Sequence, residues 1–375
     1  MSLSLPADPP HARSLTGVAT ESIAALTGES DWFAPARSVV ICVVDGLGAL
    51  NLSARKGHAR FLASLTTKRD VARTVFPSTT AAALTSLLTG TPPGQHGIVG
   101  YRLRIPGTDL LPNQLKGWET DGLDPETWQR EEPLMQRESR RGRPCFVVSR
   151  PEYVGTGFTE ATLRGAEFVS AVDLAERAAI AADLAARHSG ALVYLYAPDL
   201  DSVGHKLGWE SESWSATLET VDAAARRLSE ALPADVGALV TADHGMVDVP
   251  RHRQLLLTAD SPLVDGVAGI GGEPRMLHLY TDAGRADEVH AEWLASESAR
   301  SWVMTRDEAI DAGLFGPVAE AVRERIGDVV VAARSAVAYY DDRLTDKGPQ
   351  KMVGQHGSLT AEERVVPLLR LGAFS

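Results

Sequence analysis

Hydrophobic runs in this chain end in Asp45 (VVICVVDG), in Asp201 and His205 (LYAPDLDSVGH), and in Asp243 and His244 (ALVTADHG), while VGQHG adds His356. Carboxylate and imidazole are the donors that a zinc-like ion takes, at about 2.0–2.2 Å. The D-x-x-x-H spacing of Asp201 and His205 lets one turn aim both groups at a single ion. Asp243 and His244, adjacent and followed by Gly245, can serve the same ion or a neighbouring one. Three carboxylates and three imidazoles suffice for two divalent ions. Two such ions, about 3.5–4 Å apart, would clamp the attacking and leaving oxygens of an in-line phosphoryl displacement. A lone aspartate at a strand end commonly does no more than cap a helix. Six ligand-type residues in four separate segments point instead to a metal centre.

Between the first and second segments lies FPSTTAAALTSLLTG, residues 76–90. Pro77 keeps its predecessor extended. The following AAALTSLL is a good helix former, and Gly90 ends it. A hydroxyl at the start of that helix faces its positive end and several free N–H groups, a place suited to a phosphoryl group. Coordination to an ion would lower the hydroxyl pKa and make it a nucleophile. On this basis Ser78, Thr79 and Thr80 are equal candidates, and any of them could simply be the N-cap. Together these features predict a two-metal hydrolase with an alcohol nucleophile.

The elements that must position these groups read as α/β. SVVICVV (38–44), ALVYLY (191–196) and GALVTA (237–242) suit strands buried on both faces of a parallel sheet. Helical patterns at 173–187 and 213–231 lie between them, the second after a Ser cap and with an apolar stripe at helical spacing. Alternating strands and helices imply a doubly wound, mainly parallel sheet sandwiched by helices. In that architecture ligands bind beyond the carboxyl ends of the strands, where Asp45, Asp201 and Asp243 fall. Residues 251–345 differ, with strands at 276–280, 301–305 and 327–333 and a helix at 286–298. They are expected to form a small α+β cap inserted in a catalytic core of residues 1–250 and 346–375.

Composition agrees with a globular enzyme. The 375 residues are 44% hydrophobic and 23% charged, with a net charge of −12. That charge argues against binding nucleic acid or an anionic membrane, but not against a phosphate substrate at a metal site. No apolar run approaches the ~18–20 residues of a membrane helix. The polar, proline-rich first residues lack the pattern of a signal peptide, so a cytoplasmic location is expected. Cys42 and Cys145 suggest no disulfide framework.

In the order and content of its motifs the chain resembles the alkaline phosphatase superfamily, in particular its nucleotide pyrophosphatase/phosphodiesterase branch and the similar phosphonoacetate hydrolases. The matching pieces are DG at 45–46, FPSTTAAALTSLLTG at 76–90, PPGQHGI at 92–98, DSVGH at 201–205, ADHGM at 242–246 and GQHG at 354–357. The resemblance implies Thr80 as nucleophile, nine residues before Thr89 of the closing Thr-Gly. It implies one metal held by Asp201, His205 and His356, and another held by Asp45, Asp243, His244 and the Thr80 oxygen. Zinc is the expected metal, with manganese or iron as alternatives. His96 belongs to the HGI turn and is not counted as a ligand. His11, His58, His188, His252, His278 and His290 match no motif, and Asp199 is expected behind the ligands or capping a loop.

One position departs from the resemblance. The pyrophosphatases carry an Asn three residues after the Ile of HGI, where it binds the transferring phosphoryl group; here that residue is Tyr101. Tyr101 can donate through its hydroxyl or merely pack; Asn113, Lys116, Lys206, Arg102 and Arg104 are other potential donors. The expected substrates are small phosphoesters, nucleotides or phosphonates. A phosphomonoesterase or a phosphonoacetate-hydrolase-like C–P hydrolase could use the same site. A metal-binding protein without catalysis is the alternative of a different class.

Overall fold

The computed structural model describes residues 5–67 and 70–375. Its strands, in chain order, begin with β1 (Ser38–Val44), β2 (Val71–Arg73), β3 (Cys145–Ser149), β4 (Glu167–Ser170), β5 (Leu192–Ala197) and β6 (Val236–Thr241). They continue with β7 (Val247–Asp248), β8 (Gln254–Leu257), β9 (Val267–Glu273), β10 (Met276–Thr281) and β11 (Ser301–Thr305). The last are β12 (Val329–Ala333), β13 (Ala338–Asp341), β14 (Gly354–Gln355) and β15 (Val365–Gly372). The central sheet has the order β2-β15-β6-β1-β5-β3-β4. Strands β6, β1, β5, β3 and β4 run parallel, and β15 runs antiparallel to β6 and to β2. The sheet is thus α/β and mainly parallel, as its sequence pattern predicts.

All seven residues of β1 are buried. A strand with neighbours on both edges and cover on both faces must be apolar throughout, and each fully buried Val contributes about 1.5–3 kcal/mol. Helices Leu174–Arg187 and Glu212–Ala231 pack against each other, the first also against β1, β3 and β5. Their caps are Asp173 and Ser211, whose side chains accept from Glu176 N–H and Trp214 N–H. Among the described residues no helix is long and apolar enough to cross a membrane.

A second sheet, β11-β12-β10-β9, is antiparallel and lies within residues 267–333. It has its own apolar cluster around Trp293 and Tyr339. The short pair β14–β7 ties the segment before His356 to the segment after His244.

Candidate metal centre

Five of the predicted ligands lie just beyond carboxyl ends of central-sheet strands. Asp45 follows β1, and Asp243 and His244 follow β6. Asp201 and His205 lie on helix Asp199–Leu207, which begins directly after β5. Four residues apart on that helix, they share a face, and His205 Nε2 is 3.4 Å from Asp201 Oδ2. His356 enters from the turn after β14, which pairs with Ser78: Ser78 N–H donates to Gly357 O at 3.1 Å.

Thr80 opens helix Thr80–Thr89, which ends at Gly90 with a φ of 73°. Thr79 occupies the N-cap position, yet its side chain makes no capping bond to the helix. The Ser78 hydroxyl is turned away, donating to Ser358 O. Of the three candidate hydroxyls only Thr80 reaches an expected ligand, with Oγ1 3.1 Å from His244 Nε2.

The three imidazoles are oriented alike. His244 Nδ1 faces Gly245 O at 3.0 Å, His205 Nδ1 faces Gly354 O at 2.8 Å, and His356 Nδ1 faces Ser78 O at 2.9 Å. A carbonyl can only accept, so Nδ1 carries the proton in each ring and Nε2 presents a lone pair. Those lone pairs converge: His356 Nε2 and His205 Nε2 are 3.3 Å apart. His244 Nε2 is 3.4 Å from Asp45 Oδ1 and 3.5 Å from Asp243 Oδ2.

Asp45 Oδ1, Asp201 Oδ1 and Asp243 Oδ2 are buried without a hydrogen-bond partner. The other oxygen of Asp243 accepts from Gly46 N–H at 3.1 Å and His244 N–H at 3.0 Å, which fixes the free oxygen toward the cluster. Lone pairs and orphaned carboxylate oxygens meeting in a buried space repel one another unless cations lie between them. The residues therefore fit divalent ions. Ligand atoms of Asp45, Asp243 and His244 lie within 4.8 Å of one another, as do those of Asp201, His244 and His356. The two groups share His244, and His205 joins the second through its contacts with Asp201 and His356.

Burial, reinforced by Asp243 and Asp201, holds the Asp45 carboxyl well above its usual range. Burial likewise raises Asp243, and it pushes His356 well below the usual imidazole range, helped by His244 and His205.

Supporting residues were not apparent in the sequence motifs. The Tyr196 hydroxyl, from β5, donates to Asp45 Oδ2 and leaves Oδ1 for an ion. Tyr196→Phe is expected to weaken divalent-ion binding about 10–100-fold. A competition titration against a chelating dye measures this, and unchanged affinity would show that Asp45 needs no such support. Asp199, at the start of the helix that carries Asp201 and His205, is bridged by Arg150 and by the fully buried Arg177. Among the histidines without a motif, His278 is buried and donates from Nε2 to Val99 O at 2.9 Å, and His58 pairs with Glu219 at the surface. His96 packs against the Ser86 hydroxyl. The Tyr101 hydroxyl oxygen accepts from Asn113 Nδ2–H at 2.6 Å, leaving its own proton to donate elsewhere.

An α/β sheet with clustered carboxylates, imidazoles and a hydroxyl beyond its strand ends defines the alkaline-phosphatase-like class. Residues 39–359 match the model of the type I phosphodiesterase/nucleotide pyrophosphatase family, and the chain belongs to that family. It is 25% identical over 239 residues to an uncharacterized pyrophosphatase/phosphodiesterase of Schizosaccharomyces pombe, covering 59% of this chain and 47% of that protein. The chain thus spans about half the length of that curated relative. Among solved structures, murine ectonucleotide pyrophosphatase/phosphodiesterase 5 superposes with a TM-score of 0.70 at 18% identity, over 89% of this chain and 88% of that one. Phosphonoacetate hydrolase from Sinorhizobium meliloti 1021, with phosphonoacetate bound, gives a TM-score of 0.67 at 18% identity, over 90% and 91% of the two chains. At these identities the superpositions speak for the fold.

Proposed function

We propose that the chain is a two-metal phosphodiesterase or nucleotide pyrophosphatase acting through a covalent phosphothreonine on Thr80. The observation that carries this is the clustering of Asp45, Asp201 and Asp243 with three imidazole Nε2 atoms, one of which, on His244, lies 3.1 Å from the Thr80 hydroxyl. Asp201, His205 and His356 would hold one ion; Asp45, Asp243, His244 and the Thr80 oxygen would hold the other. Two such ions, of zinc or alternatively manganese or iron, would supply positive charge to the oxygens on which charge develops during transfer.

Thr80 Oγ1 forms a bond to phosphorus as its proton is lost to water. The P–O bond to the leaving group breaks, and the departing oxygen takes up a proton. Water then attacks the phosphothreonine, frees Thr80 and releases the phosphomonoester. The free N–H groups opening helix Thr80–Thr89 face the phosphoryl oxygens. An inactive threonine-to-alanine variant of the murine relative, bound to AMP, supports a threonine in this role. Residues 251–345 act in this scheme as a cap on a core of residues 1–250 and 346–375. The substrate is a small phosphoester, and two buried free cysteines accord with action in the cytoplasm.

Tyr101 takes part as a donor to a phosphoryl oxygen, supported by the proton that its bond with Asn113 leaves free. Tyr101→Phe is then expected to lower diester turnover by about 10²–10³-fold, the usual cost of one such donor. Steady-state kinetics measure this, and an unchanged rate would make Tyr101 a packing residue. The overall test is turnover of zinc-loaded protein on bis-p-nitrophenyl phosphate beside p-nitrophenyl phosphate, with a metal count on the same sample. Two metals and a diester preference are expected. A monoester preference would redirect the assignment to phosphatases. Silence on both, with phosphonoacetate cleaved, would make it a C–P hydrolase.

A further inference from the structure

Glu273, the last residue of β9, is the point at which the second sheet touches the catalytic residues. Its side chain is 7% exposed. Oε2 accepts from Tyr101 N–H at 3.2 Å, Oε1 is buried without a hydrogen-bond partner, and the Thr79 side chain lies near enough to favour the charged carboxylate. One carboxyl therefore stands beside Thr79, the residue before the proposed nucleophile, and bonds the backbone of Tyr101.

Gly357, next to His356, completes the contact. It has a φ of 125°, and a Cβ there would stand 2.5 Å from Glu273 Cγ and 2.6 Å from Oε1. Only glycine lets that turn approach so closely. Glu273 is held from behind by its own turn. Two residues on, Arg275 makes a fully buried bidentate pair with Glu363, at 2.8 Å to Oε1 and 2.9 Å to Oε2. Arg275 also donates to Ser335 O and Val337 O, while Glu363 Oε1 accepts from Ser358 N–H at 2.9 Å. The loop that leads to Tyr101 is tied to the same sheet region, with Arg325 donating to Gly97 O and His278 to Val99 O, both at 2.9 Å. Burial raises the Glu273 carboxyl to about 8.

We propose that Glu273 is a positioning residue through which the second sheet sets the Thr79–Thr80 turn and the Tyr101 loop at the spacing a pentacoordinate phosphoryl group requires. This rests on the phosphoryl-transfer reading above. It assigns the inserted segment a part in the reaction as well as in substrate choice. Glu273 ligates no metal and exchanges no proton with substrate; it acts by holding Thr79 and Tyr101.

The test compares Glu273→Leu, Glu273→Gln and Thr79→Val with wild type in the metal-loaded full-length chain. Readouts are kcat and KM on bis-p-nitrophenyl phosphate, metal content, and calorimetric affinity for orthovanadate as the pentacoordinate probe. Displacing reacting groups by about 1 Å costs up to about 10²-fold. Glu273→Leu is therefore expected to lose about 10–100-fold in kcat and in vanadate affinity. Its metal content should be unchanged and its KM should move far less. Thr79→Val, which removes one hydroxyl and keeps the shape, should move both quantities the same way by less. Glu273→Gln keeps an acceptor oxygen and should remain close to wild type. Wild-type kcat and vanadate affinity in both the Leu and the Val variants would overturn the assignment. So would a Gln variant as slow as Leu, because the charge or proton of Glu273 would then be in use. Wild-type protein that neither turns over the diester nor binds vanadate would overturn the phosphoryl-transfer reading, and this inference with it.

Discussion

Thr80→Ala is expected to lower turnover by at least about 10⁴-fold, as removal of a covalent nucleophile does. That is about 5.5 kcal/mol of transition-state stabilisation. The variant should keep its metal, because three carboxylates and three imidazoles remain in place. It should no longer acquire the substrate-derived phosphoryl adduct that mass spectrometry of acid-quenched wild-type protein is expected to detect. The geometry excludes easy replacement by a neighbour. Ser78 points to Ser358 O, and of the three hydroxyls Thr80 alone lies 3.1 Å from His244 Nε2. Full activity with an adduct still formed would move the nucleophile to another hydroxyl.

The second large effect follows removal of metal. A chelator should abolish turnover, and added divalent ion should restore it. Binding that favours only the folded chain stabilises it by about 4 kcal/mol at a thousandfold excess over Kd. The pH dependence of the metal-free form has a definite sign. Asp45, Asp243 and Glu273 are raised by burial in the folded chain. Folded protein therefore holds more protons on them than unfolded protein, and the stability they contribute is lost as pH rises. His356 is lowered, which opposes that trend only below about pH 6.5, where an unfolded imidazole is protonated. Metal-free stability should accordingly fall from about pH 6.5 through about pH 8, the value to which Glu273 is raised. Bound cations would neutralise the aspartates, which burial raises, so the gap between metal-loaded and metal-free melting temperatures should widen as pH rises. Thermal melts at fixed ionic strength measure it, and a constant or narrowing gap would contradict the electrostatic account.

Much of the centre was legible in the sequence because its residues sit at the ends of apolar runs that can only be buried strands. Asp45, Asp243 and His244 each follow such a run within a few residues, and a parallel sheet brings those ends to one edge. Strands β1, β5 and β6 lie within one residue of their predicted bounds. What the sequence did not reveal depends on contacts between distant segments. Tyr196 reads as one more apolar strand residue until the fold carries its hydroxyl to Asp45. Glu273 reads as an ordinary charge at a strand end until the fold sets its carboxyl against Tyr101 N–H, 172 residues away, and against the Gly357 turn. β3 and β15 also escaped the pattern, and β15 contains Pro367, which lacks an N–H for the ladder.

The place of β15 has a consequence for how the molecule is made. This late strand lies between β2 and β6, pairing with Val71–Arg73 on one side and Gly237–Thr241 on the other. His356 precedes it by only a few residues, with Ser78 and Gly357 linked across the turn. Synthesis runs from the amino end, so Asp45, Asp201, His205, Asp243 and His244 all emerge from the ribosome before His356 does. Until residues 356–372 are available, the sheet has a gap and the ligand set is incomplete. Full metal capture would thus wait until residues 356–372 have emerged. A nascent chain stalled ahead of His356 would hold ions weakly, whatever the metal concentration around it.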